Sequence, residues 1–301
     1  MQPTPPPQRR AMDLGNLARR VGTAAVFAVF FLTLLYFAAH PYAQAVFTGL
    51  LALALFMGVR EFVRMGRKLG HRPSLAAGAL AGWILMAHFL LQGLGAGERL
   101  PLWLALAVAG VVIHFGALLF EQDLDSALTS QALTWLAALY LGLGFGFQLR
   151  LFLFTQTTLS NTGGRLILAL YLIVWLGDTG AYFVGSLLGR HKLAPRVSPK
   201  KTWEGALGNL AGNLAAAFLV RATACTEWTA VDAVAIGLLL GVVGQLGDLV
   251  ESTWKRSAGV KDSHMGGVAI PGHGGMLDRV DSLVFAAPAL FAYVHYVHGL
   301  G

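Results

Sequence analysis

Nine mostly apolar stretches, each of about 20 residues, run through this chain and leave it few folds to choose from. They fall near residues 21–39, 43–62, 75–94, 101–120, 130–153, 165–189, 202–221, 230–253 and 280–298. Each is long enough to cross the hydrocarbon core of a bilayer as an α-helix. Only 12% of the 301 residues are charged, against about a quarter in an ordinary soluble domain. So few charges cannot coat a globule of this size, and lipid must solvate much of the surface. The expected fold class is an all-α polytopic membrane protein with nine spans.

Loop charge orients the spans, because Lys and Arg collect on the cytoplasmic side. With the N-terminus inside, that side receives Arg9, Arg10, Arg19 and Arg20, then Arg64, Arg67, Lys68 and Arg72. It also takes Arg190, Lys192, Arg196, Lys200 and Lys201, and finally Lys255, Arg256, Lys261 and Arg279. The other side receives little beyond Arg99, Arg150, Arg165 and Arg221. The net charge of +7 is therefore read as a membrane signal, with no nucleic acid as partner. An odd number of spans places the C-terminus opposite the N-terminus. Residues 1–20, opening with "MQPTPPPQRR", are expected to form a disordered tail, 21–160 the N-terminal helices, and 161–301 the chemically active helices.

The single cysteine, Cys225, excludes an intramolecular disulfide and a cysteine-based zinc site. Ionisable groups inside the apolar stretches begin in earnest at Asp178, in "LGDTGAYF". A carboxylate at that depth faces a polar cavity, another helix or a cation. In "RVSPKKTWEG", Ser198 followed by Pro199 reads as an N-cap with Pro at the first helical position. That would put Lys200 and Lys201 in a first helical turn, where a phosphate would offset their conflict with the macrodipole. A plain cytoplasmic loop touching lipid headgroups accounts for the same lysines. Gly208 and Gly212, with Asn209 and Asn213, fit close helix packing with polar contacts.

Asp248, Ser252 and Lys255 fall at i, i+4 and i+7 and share one helix face; Glu251 and Lys255 can also pair along it. The stretch "KDSHMGGVAIPGHGGMLDRVDS" then concentrates Lys261, Asp262, His264, His273, Asp278, Arg279 and Asp281 among five glycines. "PGHGG" reads as a tight turn. Asp281 near a helix start is favourable with or without a ligand. Asp248 and Asp278 come from two helices, and hard oxygen pairs of this type suit Mg²⁺ together with substrate phosphates. His264 and His273 lack zinc-site spacing, and neither a Walker A pattern nor GxGxxG is present.

The residues "STWKRSAGVKD" and "PGHGGMLDRVD" together resemble the signature of the phosphatidate cytidylyltransferases, or CDP-diacylglycerol synthases. "GDTGAYFVGSLLGRHKLAPRVSPKKTWEG" and "GQLGDLVES" are similar to that family's other characteristic stretches. The similarity covers residues 170–288. Trp254 stands where the signature has an aliphatic residue or Phe. "SHMGGVAI" is longer than the family pattern, so Gly266 and Gly267 are expected to bulge into a loop.

The resemblance implies condensation of CTP with phosphatidic acid to give CDP-diacylglycerol and pyrophosphate, with Mg²⁺ held by Asp248 and Asp278. It further implies a second, monovalent cation such as K⁺, a homodimer, and an active site facing the cytoplasm from the inner membrane. On that reaction Lys255, Arg256, Lys261 and Arg279 bind phosphate groups, while Ser252 and His273 donate hydrogen bonds or ligate a cation. Asp262 and Asp281 bind a second cation or orient the basic residues. Asp178, Ser198, Lys200 and Lys201 complete the polar cavity. The rival readings are a CTP-dependent polyprenol or phytol kinase, similar around "KKTWEG", and an ion-coupled transporter using Asp178 and Asp248.

Overall fold

The computed structural model describes residues 14–96, 100–120, 124–154, 161–263 and 274–299. Among them are α1 (Leu14–Tyr36), α2 (Pro41–Lys68), α3 (Leu75–Gly93), α4 (Leu102–Phe120) and α5 (Leu124–Phe152). Then come α6 (Thr162–Leu188), strands β1 (Lys192–Ala194) and β2 (Ser198–Thr202), α7 (Trp203–Thr223), α8 (Ala230–Ser257) and α9 (Leu277–His298). Seven of these helices, α2 to α6, α8 and α9, are long and apolar enough to cross a membrane. In α7 the stretch is diluted by Glu204, Asn209, Asn213 and Arg221.

Polar residues set several helix starts. Ser74 Oγ accepts from Ala77 N at 3.2 Å at the head of α3. At the head of α8, Thr229 and Asp232 form a reciprocal capping box, which satisfies two amides that lack intrahelical acceptors.

The centre of the bundle is α5, whose Leu141, Phe145 and Leu149 are fully buried. Its "LGLGFG" run explains how neighbours come so near. A Cβ at Gly144 would fall 2.3 Å from Val284 of α9, and one at Gly146 2.3 Å from Phe89 of α3. The same device joins α6 to α7. A Cβ at Gly180 would meet Gly208 O at 2.4 Å, and one at Gly212 would meet Leu176 O at 2.6 Å. Helices in lipid gain nothing from hiding apolar surface from a solvent equally apolar, so backbone proximity through small residues holds them together. The outward faces of α4 and α6 stay apolar: Trp103, Val111, Leu118, Tyr182 and Leu187 are all exposed.

Two expectations need correcting. Helix α1 starts at Leu14, inside the segment expected to be a disordered tail; the "LGNLARR" stretch has ordinary helix formers and no proline to stop it. Residues 1–13 lie outside the described residues. Second, Ser198 does not cap a helix. Ser198–Thr202 is a strand paired antiparallel to Lys192–Ala194, with Lys192 opposite Thr202 and Ala194 opposite Ser198. A two-stranded ribbon is all edge, so Pro199 costs it no obligatory donor. The cap is Thr202, whose Oγ1 accepts from Gly205 N at 3.1 Å. Lys200 and Lys201 therefore precede α7 on an extended strand instead of sitting in its first turn.

Candidate active site

Close packing of α6 on α7 and the hairpin beside them create a cavity of about 370 Å³, closed on its third side by α8. Four of the residues singled out in the sequence line it: Asp178, Lys200, Lys201 and Asp248. Lys201 Nζ lies 2.6 Å from Asp248 Oδ2. Asn209 Nδ2 donates to Asp178 Oδ1 at 3.3 Å, and Gln245 Nε2 to Asn209 Oδ1 at 3.0 Å. The polar residues of α7 thus serve the cavity as well as the helix contact. Ser198 does not line it.

One turn along α8, Ser252 Oγ donates to Asp248 Oδ1 at 3.3 Å. The next turn carries Lys255, which is nearly buried and held between two carboxylates. Its Nζ is 2.6 Å from Asp278 Oδ1 and 2.5 Å from Glu251 Oε2. Glu251 is fully buried, so this ion pair is shielded from solvent. Asp278 Oδ2 accepts from Ser263 N at 3.1 Å, Ser263 Oγ at 2.9 Å and Gly275 N at 3.3 Å. Gly274 has φ +79°, the left-handed turn expected of "PGHGG".

Asp281 joins the two groups. A Cβ at Gly247 would stand 2.6 Å from Asp281 O, which seats this turn of α9 against α8 beside Asp248. Asp178, Asp248 and Asp281 lie within electrostatic reach of one another. Five carboxyl groups (Asp178, Asp248, Glu251, Asp278 and Asp281) thus share this region with three ammonium groups, Lys200, Lys201 and Lys255. That surplus of negative charge calls for cations. Among the described residues no three carboxylate, histidine or cysteine side chains are arranged to hold a metal alone. The donor set fits an ion that takes one or two carboxylates and completes its shell with water and phosphate.

The remaining predicted residues are more dispersed. Arg256 spends Nε on Val197 O at 3.1 Å and Nη1 on Val260 O at 3.0 Å, tying the hairpin to the end of α8. Lys261, Asp262 and Arg279 are exposed. His264, His273, Gly266 and Gly267 lie outside the described residues. Outside the spans, His191 Nδ1 sits 2.6 Å from Glu204 Oε1. That hydrogen bond, with help from backbone amides, holds the Glu204 carboxyl down at about 2.

Three participants were missed in the sequence. Glu61 of α2 accepts from Ser263 Oγ, Met276 N and Leu277 N. Ser263 itself is fully buried. The buried Tyr140 hydroxyl of α5 has no hydrogen-bond partner among the described residues and lies within reach of the charges on Asp281, Glu251 and Asp248. Glu61 and Tyr140 come from helices whose sequences read as generic spans; the one signal was an acid inside the apolar α2 stretch.

A family model described as the cytidylyltransferase family matches residues 18–297. The chain belongs to that family. It is 46% identical over 139 residues to the phosphatidate cytidylyltransferase of Staphylococcus aureus (strain COL), covering 46% of this chain and 52% of that protein. It is 45% identical over 130 residues to the phosphatidate cytidylyltransferase of Staphylococcus epidermidis (strain ATCC 35984), covering 43% and 49% respectively. The same name belongs to a Staphylococcus haemolyticus (strain JCSC1435) protein, 45% identical over 139 residues, or 46% of this chain and 52% of that one. The chain spans about half the length of the curated relatives it matches.

Proposed function

We propose that this chain is a phosphatidate cytidylyltransferase, converting CTP and phosphatidic acid to CDP-diacylglycerol and pyrophosphate. The observation that carries this reading is the Lys201–Asp248 pair in a largely apolar cavity that also holds Asp178 and Lys200, in a bundle whose outer face is apolar. A nucleotide and a lipid headgroup can meet only where such a cavity opens beside acyl chains.

A phosphate oxygen of phosphatidic acid is ionised near neutral pH, so no strong general base is required. That oxygen attacks the α-phosphorus of CTP, the bond to the β-phosphate oxygen breaks, and pyrophosphate leaves with both electrons. Bringing two polyanions together is the main barrier, and positioning with charge neutralisation lowers it. Lys200 and Lys201 on β2 bind phosphate oxygens at the cavity. Asp248 and Asp278 would hold Mg²⁺, which supplies Lewis-acid stabilisation of the phosphates. Each carboxylate is paired with a lysine; with a cation held there, Lys201 and Lys255 would be available to substrate phosphates. Ser252 orients Asp248. Arg279, Lys261 and Asp262 complete the exposed rim, Arg256 anchors the hairpin, and Asp281 adds charge for a second, monovalent cation such as K⁺.

The proposal extends to nine spans in the inner membrane, a cytoplasmic N-terminus, a C-terminus opposite, an active site facing the cytoplasm, and a homodimer. Residues 161–301 carry the chemistry and 21–160 support them.

The test is conversion by the purified protein in mixed micelles of phosphatidic acid and labelled CTP, with and without Mg²⁺. Label at the α-phosphate should enter the lipid and require the metal. Label entering from the γ-phosphate into an added polyprenol would assign the kinase reaction instead.

A further inference from the structure

In "GVREFVRMGRK" the one sign of Glu61 is an acid at the end of an apolar run, yet the residue is only 4% exposed and its carboxyl is engaged by distant residues. Its Oε1 accepts from Met276 N at 2.8 Å, and its Oε2 accepts from Leu277 N at 2.9 Å. These amides open α9, where intrahelical acceptors are lacking and negative charge is favoured. Its Oε2 also lies 2.7 Å from Ser263 Oγ, which in turn is 2.9 Å from Asp278 Oδ2. One hydroxyl thus sits between two carboxyl groups, 202 residues apart in sequence on one side. The space is fully used: a Cβ at Gly275 would stand 1.8 Å from Ser263 Oγ, 2.9 Å from Glu61 Oε2 and 3.0 Å from Asp278 Oδ2. From Asp278 the chain of contacts continues to Lys255 and Glu251.

We propose that Glu61 is a positioning residue for cytidylyl transfer: it caps α9 and, through Ser263, sets the orientation of Asp278 and hence of Lys255. This places control of the site's geometry in α2, outside the segment that carries the signature. The inference rests on the activity proposed above. Glu61 touches neither substrate nor metal; it acts by fixing one oxygen of Asp278 so that the other is presented to Lys255 or a cation. A buried cap with no such role would lower stability while leaving turnover of the folded protein alone.

Steady-state kinetics of Glu61→Gln, Ser263→Ala and the double variant decide the matter, with Glu227→Gln, whose ion pair with Arg165 is remote from the site, as control. In Glu61→Gln an amide donor replaces one acceptor oxygen and faces the α9 amides and Ser263. Its kcat should fall about 10- to 100-fold, as for other residues that orient a ligating group, with the KM for CTP within about 2-fold of wild type. Ser263→Ala should lose a similar factor. The double variant should lose no more than the worse single, because both act through Asp278. Hydrogen exchange of Met276 and Leu277 should quicken in Glu61→Gln and stay near wild type in Ser263→Ala, which keeps the cap. Wild-type kcat in folded Glu61→Gln, or losses that multiply in the double variant, overturns the proposal. Should Glu61→Gln not fold, unchanged kcat in Ser263→Ala overturns it equally. A wild-type protein that makes no CDP-diacylglycerol sinks the activity reading and this role with it, whereas an active wild type indifferent to these changes sinks the role alone.

Discussion

A lysine gripped between a buried carboxylate and a half-buried one is a different reagent from a lysine on a loop. Sequence reading gave Lys255, Lys261, Arg256 and Arg279 one shared task, phosphate binding, because spacing reveals type and register but not partners. The structure separates them: Lys255 is locked between Glu251 and Asp278, and Arg256 serves two backbone carbonyls. Asp248 lines the cavity, paired with Lys201. Asp248→Asn should lower CDP-diacylglycerol formation by about 100-fold or more, as when a preorganised charge at the reacting phosphates is lost. Near wild-type rates at limiting Mg²⁺ would refute the proposed metal role of Asp248. Gly275→Ala should destabilise the protein by roughly 1–3 kcal/mol, the usual cost of overpacking, since its Cβ would fall on Ser263 Oγ. The thermal midpoint in detergent is the measurement, and no loss of stability would mean that Ser263 can swing away.

At the level of elements, most helix positions were legible, because long apolar runs have few other ways to satisfy their backbone in lipid. The hairpin was not. Lys192–Ala194 and Ser198–Thr202 are short, polar and partly exposed, so they carry no period-2 signal, and "SPKK" imitates a helix start. What selects the strand is Thr202, a β-branched residue that also caps α7. Thr202→Ala should cost about 1 kcal/mol, read as a lower thermal midpoint. Glu204 reinforces the same corner. Its carboxyl is held at about 2 in the fold against an ordinary 4.5, so its contribution is complete above pH 4.5 and is lost as pH falls towards 2. Hydrogen exchange over residues 190–204 should therefore be flat from pH 7 to about 5, after correction for intrinsic rates, and accelerate below about 4. An unchanged corner at low pH would mean that the pairing is incidental. The α6–α7 contact is stricter, for Gly212→Val would drive side-chain atoms into Leu176 O. That variant should open the cavity and lower both yield and activity, whereas Leu219→Val, on an exposed face, should not.

At the level of the whole molecule, the distribution of Lys and Arg and the outward apolar faces make one statement about environment. Cysteines introduced at Pro195 or Arg196, at the hairpin tip, should be labelled by a membrane-impermeant maleimide from the cytoplasmic side only. Labelling from the opposite side would reverse the proposed orientation. The native Cys225 will not interfere. It is fully buried, and burial, with the nearby Glu227 charge adding to it, pushes its thiol up to about 12. It should stay unmodified until the protein is denatured.

Periodicity, apolar length and a long spaced signature are properties of consecutive residues, so the sequence alone determined the helical membrane class, the approximate span positions and the family. The resemblance grouped Asp178, Ser198, Lys200 and Lys201 at one cavity and Asp248 with Asp278, whereas the fold brings Asp178, Lys200, Lys201 and Asp248 to one cavity without Ser198. Only the folded chain decided that Glu61, Tyr140 and Ser263 belong beside that site, that Asp278 faces Lys255 while Asp281 faces Asp248, and that the lysines ride on a strand. Those outcomes depend on which helices are neighbours and how near glycines let them approach, and contacts between residues as distant as Glu61 and Leu277 leave no local trace in either stretch.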